Sequence, residues 1–428
     1  MQKIKKDIFR LPYLSTLFTS SLYRNSIYLM LSSILGAGSG FIFWIVAARF
    51  YSSGDIGIAS GIVSSLRILG MLSVVGLDLT LVRFLSEKKE KSNLIISAIL
   101  FSSVISILLS IVFLIFINFI SPSLSILRIP KYASLFVLFT ISLSITFIQG
   151  QGVFVAFREA KYTLIQNLAM LIRMMLLPFL VTLGALGIFL SFGLGIFFAA
   201  IIGFILMVKY LHLSFNKVPE VNGLFELIPF SLGVYLVRIF ENLPSQILPI
   251  LVLNVLGPVE NAYFFIAWWT MFFITMIPRM TSLSLVAEGS YDTKTFNQKL
   301  LGSIKFVVLL TSIAVLIFFF FGQFILLIFG KEYAIHSLHI LRILLLGNIP
   351  YSINVLYVAN MIVKKDVKKA ILIYGTISLS TILLGYIFLG FFGSLGIGYA
   401  WILGNVMVML AIFAYVFKTL KFLIVIRK

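Results

Sequence analysis

An all-α polytopic membrane protein is expected from this chain: about twelve transmembrane helices in two six-helix lobes, related by a parallel internal repeat, around a central cavity. Hydrophobic residues make up 61% of its 428 residues, with a mean hydropathy of +1.13. They come in runs near the roughly 20 residues a helix needs to cross a bilayer. The runs lack the period-2 alternation of barrel strands, so backbone groups in hydrocarbon can be satisfied only within helices.

The first run, 24–48, follows a basic segment holding Lys3, Lys5, Lys6 and Arg10, and carries the small residues Gly36 and Gly40 at a spacing that allows close helix approach. The second, 57–83, opens after the turn Ser52-Ser53-Gly54-Asp55 and closes on Arg83, Lys88, Lys89 and Lys91. The third, 94–119, is joined by the short connection 121–131 to the fourth, 132–156, which stops at Arg158-Glu159-Ala160-Lys161. The fifth, 162–183, ends at Gly184, and the sixth, 187–208, runs into a basic and polar stretch, 209–223, near the middle of the chain. The second set follows at 224–253, 259–287, 300–321, 335–361, 367–389 and 395–417, and Pro244 and Pro249 make the first of these an expected hinge. The expected division is a cytoplasmic N-terminal segment 1–23, an N-lobe 24–208, a cytoplasmic linker 209–223, a C-lobe 224–417 and a cytoplasmic tail 418–428.

Charge supports this helix count. Of 33 Lys and Arg, 24 fall on the connections of one side and only Arg49, Arg128, Lys131 and Lys331 on the other. The positive-inside rule then puts both termini in the cytoplasm of a cell membrane protein, and the net charge of +19 is topological rather than a sign of nucleic acid. The basic N-terminus lacks a small-residue cleavage site, so it reads as a retained segment. Three weak matches separated by nearly half the chain suggest the repeat: Asp55 with Glu260, Val155-Ala156 with Val358-Ala359, and Gly184-Ala185-Leu186-Gly187-Ile188 with Gly393-Ser394-Leu395-Gly396-Ile397.

The remaining five basic residues, Arg67, Arg173, Arg238, Arg279 and Arg342, fall inside helices. A charge at mid-membrane costs at least about 2.5–3.5 kcal/mol, so it faces a cavity or a partner. Arg238 and Glu241 lie three residues apart and are expected either as a structural ion pair or as a polar cavity floor in which Glu241 is a protonatable switch. Arg67 and Arg173 are expected to line the cavity. Arg279 and Arg342 could equally snorkel toward headgroups. Asp78 is expected to pair with Arg83, and neither His336 nor His339 is expected as a ligand. The absence of cysteine excludes thiolate metal and redox chemistry. No Walker loop, His-Glu-x-x-His pair or Gly-x-Ser-x-Gly elbow is present, so no enzyme, cofactor or metal role is expected and transport remains.

The stretch Arg24-Asn25-Ser26, then Arg49-Phe50-Tyr51-Ser52-Ser53-Gly54-Asp55-Ile56-Gly57-Ile58-Ala59, resembles the N-terminus of polysaccharide-type flippases of the multidrug/oligosaccharidyl-lipid/polysaccharide exporter superfamily. Phe157-Arg158-Glu159-Ala160-Lys161 and Gly184-Ala185-Leu186-Gly187-Ile188 resemble later pieces of that family. The resemblance implies a V-shaped pair of lobes that flips a polyprenyl- or dolichyl-linked oligosaccharide to the outer leaflet by alternating access. Its (pyro)phosphate would suit Arg67, Arg173, Arg238 and Arg279, because guanidinium stays charged and binds phosphate bidentately. Membrane lipids are the other expected partner. A monomer is expected, with glycosyltransferases or a polymerase as candidate neighbours. Multidrug relatives often carry an acid in the first helix for cation coupling and this chain has none there, which leaves coupling to H+ or Na+ open, with Glu241 as its candidate. The alternatives are a cation-coupled exporter of small amphiphiles and, from another class, a membrane polysaccharide polymerase or ligase.

Overall fold

In the computed structural model, which describes residues 21–87, 91–213, 228–291 and 296–426, the runs read from the sequence become helices, and no strand occurs among the described residues. The first lobe comprises α1 (Ser21–Phe50), α2 (Ser53–Val74, continued by Leu77–Phe84), α3 (Lys91–Ile115), α4 (Pro130–Phe147, continued to Ala156), α5 (Lys161–Leu183) and α6 (Ala185–Tyr210). The second comprises α7 (Ile228–Leu256), α8 (Pro258–Tyr291), α9 (Phe296–Leu327), α10 (Lys331–Leu346 and Asn348–Val363), α11 (Val367–Phe392) and α12 (Leu395–Ile426). Eleven helices of the described residues are long and apolar enough to span a bilayer, and α10, bent by 43°, makes the twelfth. α12 runs on through the stretch expected as a tail, because Phe422–Ile426 is apolar and without a breaker. The segment 1–20 and most of the 209–223 linker lie outside the described residues.

Departures from straight helices have local causes. α2 breaks where Val75 and Gly76 both adopt left-handed backbone, with φ of 50° and 76°. α4 passes through a π-helical turn at Ile148–Val153, rich in Gly and Gln. α5 tightens to a 3-10 helix over Leu177–Leu183, where Pro178 removes a backbone donor. α7 stays helical through Pro244 and Pro249.

The internal repeat is visible as contact chemistry. In the first lobe Asp55, at the start of α2, accepts from the Ala185 N–H at 2.9 Å, just after Gly184 turns the chain at φ 55° into α6. In the second, Glu260, at the start of α8, accepts from the Ser394 hydroxyl at 3.2 Å, just after Gly393 turns the chain at φ 57° into α12. The two weak sequence matches thus meet in space, once in each lobe, at the start of its last helix, where Asp55 caps a backbone N–H and Glu260 binds a side-chain hydroxyl.

The lobes touch through α2 against α7 and α8. Near the Phe50 end of α1, Gly57 lies so close to the Pro258 backbone that no Cβ would fit. There the Asn261 amide donates to the Gly57 carbonyl at 2.7 Å and to Ser60 Oγ at 2.9 Å. Arg49 donates to the Leu327 and Ile328 carbonyls at 2.7 and 2.8 Å, closing that end further. Near the opposite end, α2 and α7 meet through Thr80 and Ser231 at 2.9 Å and through the Tyr235 hydroxyl on the Met71 carbonyl.

Candidate functional site

Between the lobes lies a cavity of about 360 Å³, walled by α1, α2, α4, α5, α6 and α7. It occupies the half of the bundle where α1 and α7 begin, since the other half is sealed by the Gly57–Pro258 contact. Three of the arginines singled out from the sequence line it: Arg67 from α2, Arg173 from α5 and Arg238 from α7.

Arg173 sits where α5 loosens, and is only 4% exposed. Its guanidinium donates to Ser39 of α1 at 3.0 Å and stands 5.2 Å from the Phe43 ring and 5.3 Å from Phe192, while its Nε has no hydrogen-bond partner. Arg67 lies over the same Phe192 ring at 5.3 Å and over Trp269 at 5.2 Å. Two guanidinium groups therefore share one aromatic ring, and neither forms an ion pair among the described residues. Cation–π attraction contributes about 0.5–2 kcal/mol each, against the ~2.5–3.5 kcal/mol or more that a mid-membrane charge costs. The rings offset part of that cost, and neither cation has a carboxylate to neutralise it among the described residues.

Arg238 is different. It pairs with Asp78 across the lobes, not with Glu241, which corrects the pairing expected from the sequence. Asp78 is fully buried, whereas the Arg238 side chain is 36% exposed. The αL break at Val75–Gly76 redirects α2 and puts Asp78 in the first turn of the piece that follows, facing α7. Arg83, the partner expected for Asp78, reaches Glu87 at 3.4 Å instead, four residues on and just past the end of its helix.

Arg279 is not with the other three. It pairs with Glu241 at 3.1 Å and donates to the Tyr351 hydroxyl at 2.9 Å, with Phe272 4.9 Å below its guanidinium. This happens in a separate chamber of about 20 Å³, inside the second lobe, closed by Tyr374, Trp268 and Trp401. Residues three apart on a helix point about 60° apart, since each turns the side chain by about 100°. That rotation is enough to send Tyr235, Arg238, Asn242 and Gln246 to the cavity and Glu241 and Pro244 into the lobe. Arg342 donates to the Phe319 carbonyl at 3.2 Å, at the lobe surface.

Phe192 and Asn167 line the cavity without a local signal in the sequence, a lone aromatic and a lone amide in apolar runs. Asn242 and Gln246, four apart, do carry one: they extend the cavity past Arg67 into a smaller space of about 100 Å³ bounded by Ser64, Trp268 and Trp269.

Comparison with known proteins bears on this geometry. The polysaccharide biosynthesis protein family matches residues 22–287. Sequence comparison with curated proteins gives no match. Among solved structures, the lipid II flippase MurJ in an inward closed conformation is similar with a TM-score of 0.73 at 18% identity, covering 92% of this chain and 87% of that one. An inward-facing multidrug resistance MATE family transporter of the MOP superfamily aligns with a TM-score of 0.71 at 14% identity, covering 91% and 97%. A MOP superfamily transporter from Pyrococcus furiosus aligns at 0.66 and 13% identity, covering 92% and 94%. The chain belongs to the polysaccharide biosynthesis protein family, and its two-lobed fold is the one these transporters share.

Proposed function

We propose that this member of the polysaccharide biosynthesis protein family is a flippase, carrying a polyprenyl- or dolichyl-(pyro)phosphate-linked oligosaccharide from the cytoplasmic to the outer leaflet by alternating access. The observation that carries the reading is the pair Arg67 and Arg173, two cations in membrane-spanning helices without carboxylate partners among the described residues, both 5.3 Å from the Phe192 ring in an inter-lobe cavity. A lipid-linked (pyro)phosphate supplies the missing anion, and guanidinium binds its oxygens through parallel N–H donors. Asn167, Asn242 and Gln246 offer donors and acceptors to the sugar, and the apolar remainder of the wall tolerates its lipid.

Alternating access needs an inter-lobe contact that substrate can weaken. Arg238 and Asp78 supply one: a (pyro)phosphate arriving at the partly exposed Arg238 competes with Asp78 for the same guanidinium and gives the ligand a differential free energy between the two states. The cation-coupled exporter reading needs an acid free to take H+ or Na+. Both acids at the lobe centre, Asp78 and Glu241, are engaged by arginine, which favours the flippase.

The test is transfer of a fluorescent lipid-linked oligosaccharide in proteoliposomes. Arg67→Ala and Arg173→Ala should each lower apparent affinity by about 2 kcal/mol, roughly 30-fold, with unchanged melting temperature, as for a lost hydrogen bond to a charged group. Arg→Lys should recover part, because the charge returns without the fork. Full transfer by the double Arg67→Ala/Arg173→Ala variant sinks the proposal.

A further inference from the structure

We infer that the second lobe carries a binding site for an anionic membrane phospholipid, in a groove on its outer face formed by α10, α11 and α12. The groove has a volume of about 350 Å³ and lies well away from the inter-lobe cavity, with no residue in common. Its wall is hydrocarbon: Leu372 and Ile373 of α11 on one side, Met407, Val408 and Ile412 of α12 on the other. From Lys369 to Thr376 and from Tyr415 back to Met407 it runs about 10–12 Å along the helices at 1.5 Å per residue, the length of an acyl-chain segment.

One end is polar, and its chemistry is one-sided. Lys369 stands at the mouth, its Nζ 5.4 Å from the Tyr415 ring and 2.9 Å from Asp366. Lys364 and Lys365 are exposed on the α10–α11 turn and Lys368 in the first turn of α11, so four lysines share this end with a single carboxylate, Asp366. Both Val367 and Phe417 mark ends of membrane spans, which sets this mouth at the headgroup level. Clustered lysines there attract anionic headgroups by about 1 kcal/mol each.

The first lobe shows what the same corner looks like when filled. Where α5 begins against the end of α6, the Tyr162 ring packs in tilted contacts with Tyr210 at 5.8 Å and Phe154 at 5.6 Å, with Lys161 over Tyr162 at 4.8 Å. Protein aromatics occupy that corner, and Tyr162 is buried. In the second lobe the space is left to a chain from the bilayer, and the lysines select the headgroup.

Native mass spectrometry of the purified full-length protein, offered equal amounts of phosphatidylglycerol and phosphatidylcholine, reads this directly. Phosphatidylglycerol should be retained in preference. The Lys365→Gln/Lys368→Gln/Lys369→Gln variant should lose about fivefold in that preference for each charge removed. Ala411→Phe, which fills the groove from its lipid-facing wall, should abolish retention while the lysines stay. A phosphatidylglycerol with a photoreactive acyl chain should label peptides of α11 and α12. Arg67→Ala should leave retention unchanged, which separates this site from the transport cavity. Equal retention of phosphatidylcholine, retention by Ala411→Phe, labelling confined to other helices, or displacement by a polyprenyl phosphate at lower concentration than phosphatidylglycerol would each overturn the assignment.

Discussion

Each lobe places an arginine within a membrane-spanning helix, and the two lobes treat it in opposite ways. Arg279 in the second lobe has a carboxylate, a phenol hydroxyl and an aromatic face around it in a chamber of about 20 Å³. Arg173 in the first lobe has one serine, two ring faces and an orphaned Nε beside a cavity of about 360 Å³. A charge in the membrane is therefore not in itself a sign of a ligand. What separates the structural cation from the binding cation is whether the protein has already supplied its anion.

The sharpest way to break the contrast is to unpair the satisfied arginine. Arg279→Ala leaves the partly buried Glu241 without its partner, and should destabilise the protein by about 1.5–3 kcal/mol, seen as a drop in melting temperature in detergent. Arg279→Gln/Glu241→Gln, which removes both charges, should recover most of that loss. The unsatisfied arginine should behave otherwise: Arg173→Ala should cost transport and not stability, as set out above.

Between the extremes stands Arg238, paired across the lobes. Asp78→Asn keeps the shape of the side chain and removes its charge, so it should weaken the α2–α7 contact and shift the access equilibrium by about 1–2 kcal/mol. Cysteine labelling of cavity positions, straightforward in a chain with no native cysteine, measures that shift. Unchanged labelling would make the pair a static support.

The smallest effect compares the two lobes at their repeat. Asp55→Ala removes the acceptor for the Ala185 N–H and should cost about 1 kcal/mol, as for a lost helix cap. Glu260→Ala removes a longer contact to a hydroxyl that remains free to find another acceptor, and should cost less. Equal melting shifts would show that the two contacts are energetically as well as geometrically repeated.

What could be read from the chain alone is what bilayer physics imposes on every segment separately: helices rather than strands, their number, and which arginines lie within them. The internal repeat was legible too, through short turn motifs at Asp55, Glu260, Gly184 and Gly393 whose local geometry demands particular residues. The partner of each buried charge was not. Arg238 reaches Asp78, 160 residues away, and Glu241 reaches Arg279 on the next helix, though Arg238 and Glu241 are neighbours on α7. Their separation follows from a rotation of about 60° around one helix and from a break at Val75–Gly76 in another, and a non-glycine residue at φ 50° leaves no mark in the sequence. Local patterns set which groups must be buried in the membrane. Only the packing of the helices, within each lobe and between the two, decides which of them are neutralised by protein and which are left for a ligand.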